Sequence, residues 1–135
     1  MNIENLEHWH FELAEKACND LLDLVLQGKK KATSSSAAAF RIKGEKIPQK
    51  GDLSVITNWK GEPRCVIRTV SVRRIPYKDI GFDLAVLEGE DASIGSWRKN
   101  HEAFFRAEGK ELGYTFTEDM EVIFEEFEVI EIIDQ

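Results

Sequence analysis

The sequence predicts an α+β domain built on a partly closed antiparallel β-barrel flanked by helices. Three observations lead there. Two segments carry apolar residues at helical spacing, one early and one late in the chain. Two long runs alternate as strands do, with turn residues between them. The last run changes phase midway, as a bulged and curling strand does.

In chain order, the first element is a helix from about His10 to Gln27. Leu13, Ala17, Leu21 and Leu24, with Leu22, Val25 and Leu26, recur at spacings of three and four and make a wide apolar face. Gly28 follows as a residue free to take positive φ, and the lysines beyond it face the negative end of the helix dipole. From Lys31 the chain is expected to be extended, because Thr33-Ser34-Ser35-Ser36 suits a helix interior poorly; Ala37-Ala38-Ala39-Phe40 is ambiguous. A turn at 48–52 leads into a strand over 53–57. Asn58 to Pro63 is a hairpin connection, and 64–74 the partner strand, with Val66, Val70 and Val72 on one face and Ile67 and Thr69 on the other. Residues 76–80 read as a single helical turn. A second long helix starts after Ser93 as N-cap and ends near Gly109, carrying Trp97, His101, Phe104 and Phe105 on one stripe. The last strand spans Glu121 to Ile133, with its bulge at Glu125-Glu126.

At 135 residues, 42% hydrophobic and 32% charged, the chain has the size and composition of one globular domain over 1–135. No apolar run approaches the ~20 residues a bilayer span needs, so no membrane partner is expected. The acidic start, Met1-Asn2-Ile3-Glu4-Asn5, lacks the features of a signal peptide. Cys18 and Cys65 have no CxxC companion and read as reduced thiols of a cytoplasmic protein. A net charge of −7 speaks against coating a nucleic-acid duplex. Residues 28–50 carry seven basic side chains against Glu45 alone, whereas 111–135 carry nine acids and no Lys or Arg. Either the basic stretch forms a cationic mouth for a small anionic or nucleotide-like ligand, or sheet pairing neutralises the two segments against each other.

Two distant segments carry the chemistry. Lys30 and Thr33 lie three residues apart across a helix-to-strand transition. Lys29 and Lys31 flank Lys30, and like charges or burial lower an amine's pKa, so Lys30 could act as base toward the Thr33 hydroxyl. The bland alternative is solvated lysines beside a strand threonine. In the second segment, Glu90 and Asp91 are explained by the helix N-terminus they precede. Glu88 lies further upstream and is the better candidate for a site. Trp97, Phe104 and Phe105 read as core and His101 as a partly buried histidine of the same stripe. Arg98 either pairs with Glu90 or Asp91 or reaches a ligand phosphate. No zinc-ligand spacing, nucleophile elbow, P-loop or dinucleotide fingerprint is present, and no cofactor is implied; Glu88, Glu90 and Asp91 form the only obvious metal-ligand cluster.

Together these residues resemble the ASCH domain family of the PUA-like barrel superfamily. The resemblance rests on G-x-K-x-x-T at Gly28, Lys30 and Thr33, on Gly51-Asp52, on Asn58-Trp59-Lys60-Gly61, on the segment from Glu88 through Trp97-Arg98 and His101 to Phe104-Phe105, and on Glu118-Asp119-Met120. It covers nearly the whole chain. It implies RNA-linked roles. In a smaller relative it implies an amidohydrolase that deacetylates N(4)-acetylcytidine with a Lys, a Thr and a downstream Glu, which fall here on Lys30, Thr33 and Glu88, with Glu90 as rival. Another relative is a metal-dependent ribonuclease. The arginine two residues past the threonine is Ser35 here, and Arg64 or Arg98 is the candidate replacement.

Two functions from different classes follow. In the first, Lys30 deprotonates Thr33, Thr33 attacks an acyl carbonyl, and Glu88 passes a proton to the leaving amine, with Ser34, Ser35, Arg64, Glu90, Arg98 and His101 around the substrate and Trp59 or Trp97 stacking on the base. In the second, a non-catalytic module binds RNA or a modified nucleotide, using the 28–50 stretch for phosphate, with a nuclease as its cleaving version.

Overall fold

A computed structural model describes residues 2–133; the ends of the expected 1–135 domain, Met1 and residues 134–135, lie outside the described residues. The elements are β1 (Glu7–Trp9), α1 (Glu15–Leu26), β2 (Ala32–Ser36), α2 (Ala37–Lys43), β3 (Leu53–Thr57), β4 (Pro63–Pro76), α3 (Phe82–Ala85), α4 (Ile94–Leu112) and β5 (Glu121–Ile132). Short 3-10 turns at Ile3–Asn5, Tyr77–Asp79 and Val86–Glu88 complete the chain. The strands form one curled half-barrel sheet in the order β1-β3-β4-β5-β2. β1 runs parallel to β3, and every other pairing is antiparallel. β1 and β2 are thus the two free edges, and the large cleft of the molecule lies along residues of both.

Two apolar clusters hold the sheet. α1 lays Leu22 and Val25 against Ile56, Cys65, Ile67 and Phe127, with Phe11 closing the end. On the other side Trp97 and Phe105 of α4 pack with Tyr77, Ile80, Phe116 and Val122. Burying each such aliphatic or aromatic side chain stabilises the fold by about 1.5–3 kcal/mol. Helix ends follow the residues available. Gly28 takes φ +78° after α1, Ser36 accepts from the Ala39 amide to cap α2, and Ser93 accepts from the Ser96 amide to cap α4.

Several boundaries depart from expectation. α1 begins at Glu15 rather than His10, because 7–9 pair with β3 and Phe11 turns into the core. The ambiguous alanines form α2, and α4 runs one turn past Gly109 to a left-handed Gly113. Val70 does not share a buried face with Val66. Thr69 pairs with Phe127 and Ser71 with Glu126, so Val70 is the extra residue of a bulge and is 42% exposed. The bulge expected within β5 at Glu125-Glu126 is therefore on its partner, β4. β5 itself keeps unbroken register with β2 from Val122 to Glu126, and its own extra residue falls between Val129 and Glu131. The sequence misled there because Ile123, Phe124 and Glu125 are all buried, and burial on both faces erases alternation.

The acidic last strand is indeed neutralised by sheet pairing, but not by the 28–50 lysines. Arg68 pairs with Glu128, Arg73 with Glu126 and Arg74 with Glu121 across β4 and β5. Cys18 and Cys65 are buried and free, and burial pushes the Cys65 thiol up to about 11. No helix among the described residues is long and apolar enough to cross a membrane.

Candidate functional site

The residues after α1 and before α4 meet because two backbone segments dock. The Lys31 amide donates to the Leu87 carbonyl at 2.8 Å, and the Lys29 and Lys30 amides return to Leu24. Leu87 is the middle residue of a 3-10 turn capped by Gly89, which takes φ +71° and lies flush against the Lys29 carbonyl. This contact sets Lys30 facing inward while Lys29 and Lys31 stay exposed.

Lys30 is 2% exposed, and its Nζ donates to Glu88 Oε1 at 3.2 Å and Glu90 Oε2 at 2.6 Å. Burial alone would lower its pKa, but the charges of Glu88 and Glu90 outweigh burial and hold it above the usual lysine range. The expectation of a neutral Lys30 is therefore corrected: its flanking lysines point to solvent, and the charges it meets are carboxylates.

Glu88 is 1% exposed and has four partners. Besides Lys30, it accepts from Ser34 Oγ at 2.8 Å, Trp97 Nε1 at 2.8 Å and His101 Nε2 at 3.2 Å. Burial favours its neutral form, yet the Lys30 charge and the His101 contact hold its carboxyl well below the usual range. Trp97 and His101 reach it together because they are one turn apart on α4, their rings stacked at 4.1 Å. His101 Nδ1 lies 2.9 Å from the Trp97 carbonyl. A carbonyl and a carboxylate both only accept, so both ring nitrogens donate and the ring is an imidazolium. Burial opposes that charge; the hydrogen bond and charge of Glu88 prevail and raise the pKa. Glu90, its side chain 19% exposed, differs from Glu88. Burial raises its pKa, Lys30 pulls it down, and the neighbouring Glu88 charge pushes it up again, leaving it above the ordinary carboxylate value.

This cluster forms the floor of a small chamber of about 60 Å³, with Phe11, Thr33, Asn100 and Phe104 around it. A cleft of about 630 Å³ adjoins it. Thr33, Ser34 and Phe104 line both, so the strand-β2 hydroxyls stand at the boundary between them.

The structure gathers Lys30, Thr33, Ser34, Glu88, Glu90 and His101 at the chamber, and Ser35 at the cleft. It does not bring Trp59, Arg64 or Arg98 to either. Trp59 packs edge-on against His10 at 5.1 Å, outside both cavities. Arg64 is half-buried on β4. Arg98 donates to the carbonyls of Tyr77, Lys78 and Ile80 and stacks on Tyr77, so it pairs with neither Glu90 nor Asp91. Trp97 is fully buried behind Glu88 and has no face open to a ligand base. Sequence reasoning missed Phe11, whose ring lies 5.4 Å from Lys30 Nζ, and Glu12, which lines both cavities. No local pattern marks either one.

The metal-ligand cluster is also rearranged. Glu88, Glu90 and His101 place one donor each within 4.8 Å of one another, while Asp91 accepts from Ser96 and Asn100 on α4. Three protein donors are the number a catalytic zinc site uses. The Lys30 ammonium already bridges the two carboxylates, however, and His101 donates rather than accepts. The set does not fit a metal in this form.

The curled α+β half-barrel is of the PUA-like class of small barrel domains, and here a Lys-Glu-His cluster lies beside its cleft. A family model for the ASCH domain matches residues 7–131, and the chain belongs to that family. The ASCH domain from Lactobacillus crispatus JV V101 is similar at 38% identity and a TM-score of 0.85, over 93% of this chain and 80% of that one. Protein EF3133 from Enterococcus faecalis V583 is 27% identical with a TM-score of 0.89, over 98% of this chain and 80% of that one. Protein PH0355, at 19% identity and a TM-score of 0.53 over 91% of this chain and 99% of that one, shares the fold alone. No curated protein gives a significant match.

Proposed function

We propose that the protein is an amidohydrolase that removes an acyl group from the exocyclic amine of a nucleoside base, N(4)-acetylcytidine being the first substrate to try. One observation carries the reading. Thr33 stands between a cleft large enough for a nucleoside and a chamber sized for an acyl group, with a charged Lys30 and a raised-pKa Glu90 lining that chamber.

The chemistry assigns roles by electrostatics. Thr33 Oγ attacks the acyl carbon as its proton passes to Glu90, the carboxylate whose affinity for a proton is raised. The Lys30 ammonium offsets the negative charge that develops on the carbonyl oxygen. As the C–N bond breaks, Glu90 returns the proton to the leaving amine. Water then attacks the acyl-threonine with Glu90 again accepting a proton, and the carboxylic acid leaves with Thr33 restored. Glu88, with four partners and a depressed pKa, is the fixed anion that keeps Lys30 charged. In this assignment Glu90 takes the shuttle and Lys30 is the cation, not the base.

The test is hydrolysis of N(4)-acetylcytidine and a panel of acylated nucleosides. Thr33→Ala and Lys30→Ala are expected to lose turnover by about 10²–10⁴-fold, the range a positioned proton-transfer or nucleophilic group supplies. Turnover in Lys30→Ala equal to the parent's would sink the mechanism. Turnover of no substrate would leave a module that binds a modified nucleoside, with Lys30 and Thr33 as ligand contacts. RNA is the weaker partner, because the cleft lining is acidic and no arginine reaches it.

A further inference from the structure

Resting on that reading, we infer that Glu12 is a specificity-determining residue of the site, and that the ligand body it meets is an unphosphorylated one rich in hydrogen-bond donors.

Glu12 adopts φ +64°, the one positive φ of a non-glycine among the described residues. A glutamate adopts that left-handed conformation at a cost, and such strain persists where the surroundings impose it. The anchor is the preceding residue. Phe11 is 5% exposed, packs edge-on against Trp9 with ring centres 4.9 Å apart, and lies over Lys30 Nζ. The backbone at Glu12 is thereby held against the chamber. Its side chain lines both the chamber and the cleft, which among the acids of the molecule is true of Glu12 alone within the described residues. Its Oε1 accepts only a long bond, 3.3 Å, from the next amide, and no cation among the described residues forms an ion pair with it. A strained carboxylate with spare acceptor capacity thus stands where a ligand must cross from cleft to chamber.

The surrounding charge indicates what it meets. The cleft is lined by Glu7, Glu12, Glu45, Asp52, Glu108 and Glu125 against Lys43 and Lys46, with His8 and His10 the remaining titratable groups. A phosphate entering that lining meets net repulsion, whereas sugar hydroxyls or an amine donate to it. The lining therefore selects the free nucleoside over its phosphate ester.

The experiment compares N(4)-acetylcytidine with its 5′-monophosphate in the parent, Glu12→Gln, Glu12→Gly and, as a control, Glu111→Gln, an exposed acid outside the cleft. The parent is expected to favour the nucleoside by about tenfold or more in KM, the scale of one unscreened like-charge contact. Glu12→Gln narrows that ratio, Glu12→Gly narrows it while melting at a higher temperature than the parent, and Glu111→Gln leaves both the ratio and the parent turnover unchanged. Equal use of the two compounds by the parent, or an unchanged ratio in Glu12→Gln, overturns the inference. If the parent hydrolyses neither, the hydrolase reading fails, and NMR titrations with cytidine and cytidine 5′-monophosphate decide the inference separately. Discrimination that Glu12→Gln removes supports it; equal binding, or binding of neither, overturns it.

Discussion

A β-carbon on residue 89 would overlap the carbonyl oxygen of Lys29, so Gly89 and Lys29 are in backbone contact across sixty residues of sequence. That contact, with the Lys31 amide on the Leu87 carbonyl, brings Lys30 between Glu88 and Glu90. Gly89→Ala combines a left-handed φ with a backbone clash and is expected to cost about 2–4 kcal/mol. Gly61→Ala has φ +86° but open space, and is expected to cost about 1 kcal/mol. Urea denaturation of the two variants checks the difference; equal costs would mean the 29–89 contact yields easily.

Removing Lys30 leaves Glu88 buried beside a single protonated imidazole. Lys30→Met is expected to destabilise by about 3–5 kcal/mol, as loss of one member of a buried pair does. In Lys30→Met with Glu88→Gln, the fully buried carboxylate is removed along with its cation and only the part-exposed Glu90 loses its partner, so the double variant should be more stable than Lys30→Met alone. A double-mutant cycle in denaturant measures the coupling, and additive costs would contradict the geometry.

The cluster also sets a pH response. His101 has a raised pKa in the folded protein, so its contribution to stability is fully present below the unfolded value near 6.5 and is lost as pH rises through the higher folded value. Glu88 has a lowered pKa, so its contribution is present above the unfolded value near 4.5 and is lost as pH falls below that. Both are retained together at mildly acidic pH. NMR titration of the His101 ring should give a pKa above 6.5, and His101→Gln should lose more stability at pH 6 than at pH 9.

The two glutamates should separate stability from turnover. Glu88→Gln is expected to unfold more easily by about 3 kcal/mol, since four partners lose their anion. Glu90→Gln, whose carboxyl is already held above its ordinary pKa, should fold nearly as well as the parent but lose turnover. Melting temperatures beside kcat/KM for both variants provide the check; the reverse pattern would make Glu88 the proton shuttle.

On the sheet, Val70→Lys should change stability by no more than about 0.5 kcal/mol, because the bulge turns that side chain to solvent. Ile67→Ala, three residues earlier and fully buried, should cost about 2–5 kcal/mol. Thermal melts of the two variants test whether the bulge lies at Val70.

Much of the fold was legible because local rules and tertiary context agreed. Gly28 after an amphipathic helix, Ser93 before another and the 58–63 hairpin declare themselves through capping and turn chemistry. The alanines of α2 did not, since their short run has no periodicity to read. The β4 bulge stayed hidden because a doubly buried strand loses its alternation. At the site, the pattern of Lys30, Thr33 and Glu88 was visible, but Lys30 was assigned the wrong charge environment. Its sequence neighbours are lysines and its spatial neighbours are carboxylates.

The sequence by itself determined the α+β class and the family, and it singled out Lys30, Thr33 and Glu88, because these rest on spacing, capping and residue type within short windows. Only the tertiary structure decided which of those groups are charged, that Trp59, Arg64 and Arg98 serve elsewhere, and that Glu12 stands between the two cavities. Protonation states follow distances of a few ångströms between residues sixty positions apart. Docking of backbone segments through Gly89 sets those distances, and no local pattern encodes them.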